Sequence, residues 1–183
     1  SIEPVVLEES SPFALTKDML PEILAEYDRF AKIYLERRKN GPWMNFFHFM
    51  VDLDGGPCVK KRVKGCGAGN EYVAVTPEGD IYPCHQFVGR PGYKMGSVLT
   101  GEFDSEMQKR FAANTVLSKE KCGTCWARFF CGGGCAANAE AFNGDIAKPY
   151  DMECELERKR LECALAICAI EKLGAQADEE KTV

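Results

Sequence analysis

Ten cysteines stand in a chain of 183 residues, and four of them, Cys122, Cys125, Cys131 and Cys135, follow the spacing C-x2-C-x5-C-x3-C. Four thiolates in so short a stretch converge on one side of a compact loop and helix start, an arrangement that binds a metal ion or an iron-sulfur cluster. Gly132, Gly133 and Gly134 fill the interval between Cys131 and Cys135. Lacking a Cβ, they let backbone amides approach a bulky, sulfur-rich group. Twelve residues separate Cys66 from Gly79, four separate Gly79 from Cys84, and Cys154 follows Cys135 after eighteen. Zinc and iron-sulfur chemistry are both open to such a set. Disulfides are the poorer reading: a chain of this length, 45% hydrophobic, builds a core unaided, and Ser1 to Ser10 lack the positive segment of a signal peptide.

The elements that must carry these thiols fall into two groups. Leu20, Ile23, Leu24, Tyr27, Phe30, Ala31 and Tyr34 recur at helical spacing, which predicts an amphipathic helix over roughly 19 to 39. Asp18 is the expected N-cap, Pro21 falls in the first turn, and Asn40, Gly41 and Pro42 end the helix. Ile2, Val5 and Val6 read as the end of a short strand. Met44 to Val51, apolar on both alternating faces, reads as a buried strand. Strand, helix and strand together suggest a parallel unit, and such a unit alone closes no sheet, so the first fifty residues read as the tail of a larger α/β domain.

Gly55, Gly56 and Pro57 break this pattern, and a second module begins at Cys58. Glu71 to Val75 and Asp80 to Cys84 predict a β-hairpin about the turn Thr76 to Gly79. A short strand is expected within Tyr93 to Val98 and a helix over Phe103 to Ala113. A last helix is expected from about Met152 to Leu173, then a frayed polar tail. Cys163 and Cys168 point some 140° apart on that helix, so they share no metal and read as core residues. His48 reads as a satisfied core histidine, and His85 as a residue supporting Cys84 without ligating. Arg128 is placed to donate to a sulfide or a substrate carboxylate, or lies solvated. Trp126 and Phe129 would shield a cluster from water, and Val59 to Lys64 forms a small basic loop.

The formal net charge of −5 gives no electrostatic ground for binding nucleic acid. No apolar run reaches the roughly 18 residues that span a bilayer. The chain reads as a soluble cytoplasmic protein, with neither nucleic acid nor membrane among its partners.

The complete order of cysteines, C-x12-G-x4-C, then C-x2-C-x5-C-x3-C, then a lone C, resembles the SPASM domain at the C-terminal end of many radical S-adenosylmethionine peptide-modifying enzymes. The wording around it sharpens the resemblance: Gly65-Cys66-Gly67-Ala68-Gly69, the run Ala74 to Gly89, Cys125-Trp126-Ala127-Arg128-Phe129, and Cys131 to Asn138. These are similar to the thioether-forming maturases of six-cysteines-in-forty-five-residues peptides, over residues 44 to 170.

The resemblance implies an α/β fragment, the end of a radical-SAM partial barrel, over residues 1–52. An α+β SPASM domain with a β-hairpin, short helices and two auxiliary 4Fe-4S clusters would occupy 53–173, and a flexible tail 174–183. Cys122, Cys125, Cys131 and Cys154 would hold the outer cluster, and Cys66, Cys84 and Cys135 the inner one. Two cubes present eight iron sites to seven motif thiolates. Either Cys58 fills the eighth or the site stays open for a thiolate of the substrate, the latter being the preferred expectation.

The implied whole enzyme uses S-adenosylmethionine at a third 4Fe-4S cluster, takes electrons from a ferredoxin or flavodoxin, and crosslinks a cysteine-rich precursor peptide. The C-x3-C-x2-C spacing of that third cluster is absent here, since position 138 is Asn138, so the segment is expected to be inactive alone. Glu3 or Pro4 would approach the S-adenosylmethionine. A zinc-binding structural module and a ferredoxin-like electron carrier are the alternatives.

Overall fold

The computed structural model describes residues 2–7, 10–42, 44–52 and 59–180, with the backbone alone for 59–61 and 175–180. Cys58 lies outside the described residues. The chain divides into two compact units, one of Ser1–Pro57 with Asp151–Val183 and the other of Cys58–Tyr150. The last helix, expected with the cysteine module, thus groups with the first segment.

The first unit is helical. Helix α1 spans Leu20–Asn40 and buries Tyr27, Ala31 and Tyr34, one stripe at helical spacing. Pro21 sits in its first turn and Gly41 closes it, accepting the expected boundaries. Asp18 is not the N-cap. It lies inside a 3-10 turn, Lys17–Met19, that leads straight into α1, leaving Met19 at the cap.

Neither expected strand forms. Residues 2–7 are irregular, and Met44–Val51 holds a 3-10 turn at Phe47–Phe49. A strand is held by a paired neighbour, and among the described residues this unit supplies none, so the parallel unit expected here is replaced by aromatic packing. Phe46 and Phe49 are buried while Phe47 and Met50 are exposed. Phe46 meets Phe30 edge-on at 4.8 Å and Phe49 meets Tyr34 edge-on at 5.5 Å, geometries that add to simple burial.

The final helix is numbered α7 in chain order and spans Asp151–Glu180, running on through residues expected as a frayed tail. Leu156, Leu161, Ala164 and Ile167 are buried, and α7 lies along α1. Arg38 pairs with Glu171 at 2.5 Å, and Lys159 with Asp28 at 2.6 Å. Buried Arg160 donates from Nε to the Tyr27 hydroxyl at 3.0 Å and from a terminal nitrogen to the Ile2 carbonyl. Cys163 is buried and donates to the Tyr27 carbonyl at 3.7 Å, the core role expected of it. Cys168 is only half-buried.

The second unit opens with α2, Val59–Lys64, where the sequence suggested an exposed basic loop. Strands β1, Ala74–Val75, and β2, Asp80–Tyr82, form the expected hairpin, shorter than its sequence signal, and β3, Gly96–Ser97, adds to β2. All pairing is antiparallel in the order β1-β2-β3, with Val75 opposite Ile81 and Ile81 opposite Gly96. The turn closes through Gly79 N–H to Thr76 O at 2.9 Å, with Gly79 at φ 85°, where a Cβ would be strained. Helix α3, Ser105–Ala113, is capped by Asp104, whose Oδ1 accepts the Met107 amide at 2.9 Å. Three short helices follow, α4 at Glu120–Gly123, α5 at Arg128–Cys131 and α6 at Ala136–Asn143. Ala68, Tyr82, Cys84, Phe87, Tyr93, Phe111, Ala137 and Ile146 make the core of this unit.

Candidate metal centre

Three of the motif cysteines, on three different segments, lie in the neighbourhood of Tyr72. Cys66 sits in the turn after α2, and three residues on, the Gly69 amide donates to Pro83 O at 2.9 Å, so this loop is tied to the residue before Cys84. Cys84 ends the hairpin and is buried in the core that Ala68 shares, and Cys135, at the start of α6, packs against the same core. Gln86 Nε2 donates to Cys135 Sγ at 3.5 Å, and the Tyr72 hydroxyl donates to Cys66 Sγ at 3.9 Å. The Tyr72 phenol is held well above its usual range, first by burial and then by the negative charge that Cys66, Cys84 and Cys135 carry when ionised. One hydroxyl thus lies within electrostatic reach of all three thiols.

Cys122, Cys125 and Cys131 form a second group, on α4, the turn after it, and α5. The Cys122 amide donates to Lys119 O at 3.0 Å, Cys125 to Cys122 O at 3.1 Å, and Cys131 to Ala127 O at 2.9 Å. Cys122 is buried and the other two are half-buried. Burial pushes the Cys122 thiol up; Lys119 and Lys121 pull it down and Cys125 adds to the rise. Lys119 is itself buried, its Nζ donating to Gly133 O at 2.7 Å. Gly132 and Gly133 take φ of 76° and 94°, so the chain turns back between Cys131 and Cys135 in a conformation other residues adopt at a cost.

Other expected residues fall elsewhere. Cys154 lies in the first turn of α7, half-buried, in the first unit. His48 Nε2 faces Glu3 Oε1 at 2.8 Å, and burial, with the Arg160 charge, holds its pKa down. Glu3 and Pro4 line an apolar pocket of about 510 Å3 with Ile23, Tyr27 and Phe30. His85 is exposed, in a 3-10 turn that ends the strand. Arg128 is half-buried: one terminal nitrogen donates to Gly123 O at 2.8 Å, and the guanidinium lies over the Phe129 ring at 4.8 Å. Trp126 is 57% exposed. Tyr72, Gln86 and Lys119 were not among the expected site residues. Their only sequence signal is nearness to a cysteine.

The nine described cysteines are free thiols, none joined in a disulfide. Among the described residues no three His, Cys, Asp or Glu side chains stand close enough to hold a single metal ion. A donor set made of thiols alone, bordered by a glycine run in which a Cβ at Gly133 would meet Val116 and Lys119 side-chain atoms at 3.2 and 3.3 Å, fits the ligation of an iron-sulfur cube. Among the described residues no helix is long and apolar enough to cross a membrane.

Comparison with known proteins agrees on the segment concerned. Residues 66–126 match the SPASM family, an iron-sulfur cluster-binding domain. The match opens on Cys66 and takes in Cys84, Cys122 and Cys125. An uncharacterized protein of Archaeoglobus fulgidus is 31% identical over 101 residues, 53% of this chain and 24% of that protein. PqqA peptide cyclase of Methylorubrum extorquens strain PA1 is 34% identical over 114 residues, 58% of this chain and 29% of the cyclase. The same-named protein of Methylorubrum populi is 34% identical over 113 residues. The chain spans less than a third of the length of these curated relatives.

Proposed function

We propose that this chain is the auxiliary-cluster portion of a radical S-adenosylmethionine peptide maturase that forms thioether crosslinks in a ribosomal, cysteine-rich peptide. The observation that carries this reading is that Cys66, Cys84 and Cys135 all act on the Tyr72 hydroxyl, the first two from within a segment that matches an iron-sulfur cluster-binding domain. The peptide cyclases among the relatives support a peptide substrate.

In this reading Cys66, Cys84 and Cys135 hold the inner 4Fe-4S cluster, and Cys122, Cys125, Cys131 and Cys154 the outer one. When bound, the clusters supply electron transfer and, at an iron without a protein thiolate, a place for a peptide thiolate. The chain's own residues orient these thiols. Gln86 and Tyr72 donate to ligand sulfurs and stabilise them as thiolates, and the hydrogen bond from Gly69 to Pro83 keeps Cys66 and Cys84 on one side of the core. S-adenosylmethionine and its own cluster, a ferredoxin or flavodoxin reductant, and a cytoplasmic setting belong to the proposal for the whole protein.

Iron and acid-labile sulfide are to be counted after anaerobic reconstitution. About eight of each per chain, two cubes of four irons, is the expected result. Neither iron nor sulfide, with about two zinc ions in their place, would make this a zinc module and end the reading.

A further inference from the structure

Hydrogen-bond donors from two separate segments end on thiol sulfurs. Gln86 Nε2 lies 3.5 Å from Cys135 Sγ, and the Tyr72 hydroxyl lies 3.9 Å from Cys66 Sγ. Both side chains start from fixed backbone. Gln86 is half-buried in the 3-10 turn His85–Phe87, where the Phe87 amide donates to Cys84 O at 3.0 Å and the Phe87 ring is fully buried. It stands two residues after Cys84 and reaches across to Cys135, so one side chain links the segments of two thiols. Tyr72 is bridged to Ala68, and its carbonyl accepts the Gly69 amide at 3.0 Å, which ties it to the loop that carries Cys66.

Chemistry fixes the direction of these two bonds once the thiols bind iron. A ligating sulfur has given up its proton and can only accept, so the Gln86 amide N–H and the Tyr72 O–H donate. An iron-sulfur cube held by thiolates gains one negative charge on reduction, and its sulfurs share that charge. A donor aimed at such a sulfur stabilises the reduced form more than the oxidised form, and so raises the potential.

We infer that Tyr72 and Gln86 are positioning residues that together raise the reduction potential of one cluster, the inner one, through Cys66 and Cys135. This rests on the cluster reading above and deepens it: besides the ligands, it names the side chains that set the electron affinity of that centre.

The test is an EPR-monitored redox titration of the iron-loaded chain, wild type against Tyr72→Phe, Gln86→Leu and the double variant, with iron and acid-labile sulfide counted in each. Both substitutions keep the bulk of the side chain and remove the donor. The expected result is retained iron and one cluster signal moved to lower potential, the same signal in both single variants, while the other stays in place. Each single variant should change the reduction equilibrium about threefold and the double variant about tenfold, ~59 mV for one electron. An unmoved or raised potential in either single variant overturns the inference. So do shifts in two different signals, which would put Cys66 and Cys135 on separate clusters, and so does a joint shift of both signals. If one single variant loses its iron, the other is read by the same criterion. Loss of iron in both overturns the inference, since the two side chains then only hold the fold. A wild-type chain that takes up no iron overturns the cluster reading, and this inference with it.

Discussion

Gly65 and Gly132 lie backbone against backbone: a Cβ built on Gly65 would stand 2.8 Å from the Gly132 carbonyl oxygen, and one built on Gly132 would stand 2.8 Å from Gly65 Cα. Cys66 follows the first of these glycines and Cys131 precedes the second. Ligands proposed for two different clusters are therefore carried on backbones that touch. Gly65 and Gly132 directly follow α2 and α5, a meeting that sequence separation alone would not suggest.

Gly65→Ala should destabilise the metal-free second unit more than Gly89→Ala does. Both positions have positive φ, 64° and 76°, but nothing lies within 4 Å of a Cβ at Gly89. The control isolates the backbone cost, about 1–2 kcal/mol, and the collision with Gly132 adds to it at Gly65. Urea midpoints with unchanged slopes would measure the difference. Equal losses would mean that the backbone contact gives way freely.

Alanine at Cys66, Cys84 or Cys135 should each lower bound iron from about eight to about four per chain, because losing one thiolate of an inner three leaves too few to hold the cube. Cys163→Ala should leave the count unchanged, its thiol being engaged with α1. Cys58→Ala is expected to keep both clusters, leaving an iron site open to a peptide thiolate. Loss of one cluster in that variant would make Cys58 the fourth inner ligand.

Stability of the first unit should fall as the solution is made alkaline. Burial pushes the Cys163 thiol up to about 11, from 9.0, with the nearby Lys159 pulling it down and Asp28 adding to the rise. An acid whose pKa is raised on folding keeps its full contribution below the unfolded value. It loses that contribution as pH climbs toward the folded one, because the unfolded chain ionises first. Urea midpoints of the reduced, metal-free chain at pH 8 and pH 10.5 should therefore fall less in Cys163→Ser than in the wild type. Parallel falls would show that Cys163 ionises freely in the fold.

The hairpin was legible because its signal is local: Thr76 to Gly79 contains the turn chemistry, and the flanking residues need only pair with each other. Helices α1 and α7 were legible for the same reason, from apolar residues at helical spacing. Residues 44–51 misled because Phe46, Phe47, Phe49 and Met50 satisfy a strand's period while Phe46 and Phe49, three apart, also meet one helix face. Only the absence of a pairing neighbour decides between the two. The grouping of Cys66, Cys84 and Cys135 came from family resemblance and not from spacing. The hydrogen bond from Gly69 to Pro83, which ties the Cys66 loop to the residue before Cys84, joins residues that no periodicity connects. Lys119 and Tyr72 could not be picked out, since burial of a charged or phenolic side chain depends on what the rest of the chain lays over it.

The cysteines differ widely in how far solvent reaches them: Cys66 is exposed, whereas Cys84, Cys122 and Cys163 are buried. An alkylating reagent added to the reduced, metal-free chain will label Cys66 early and Cys163 late, so mass spectrometry of timed quenches gives a chemical clock. Filling the centre should silence the earliest tick, which offers a measure of occupancy independent of colour or turnover.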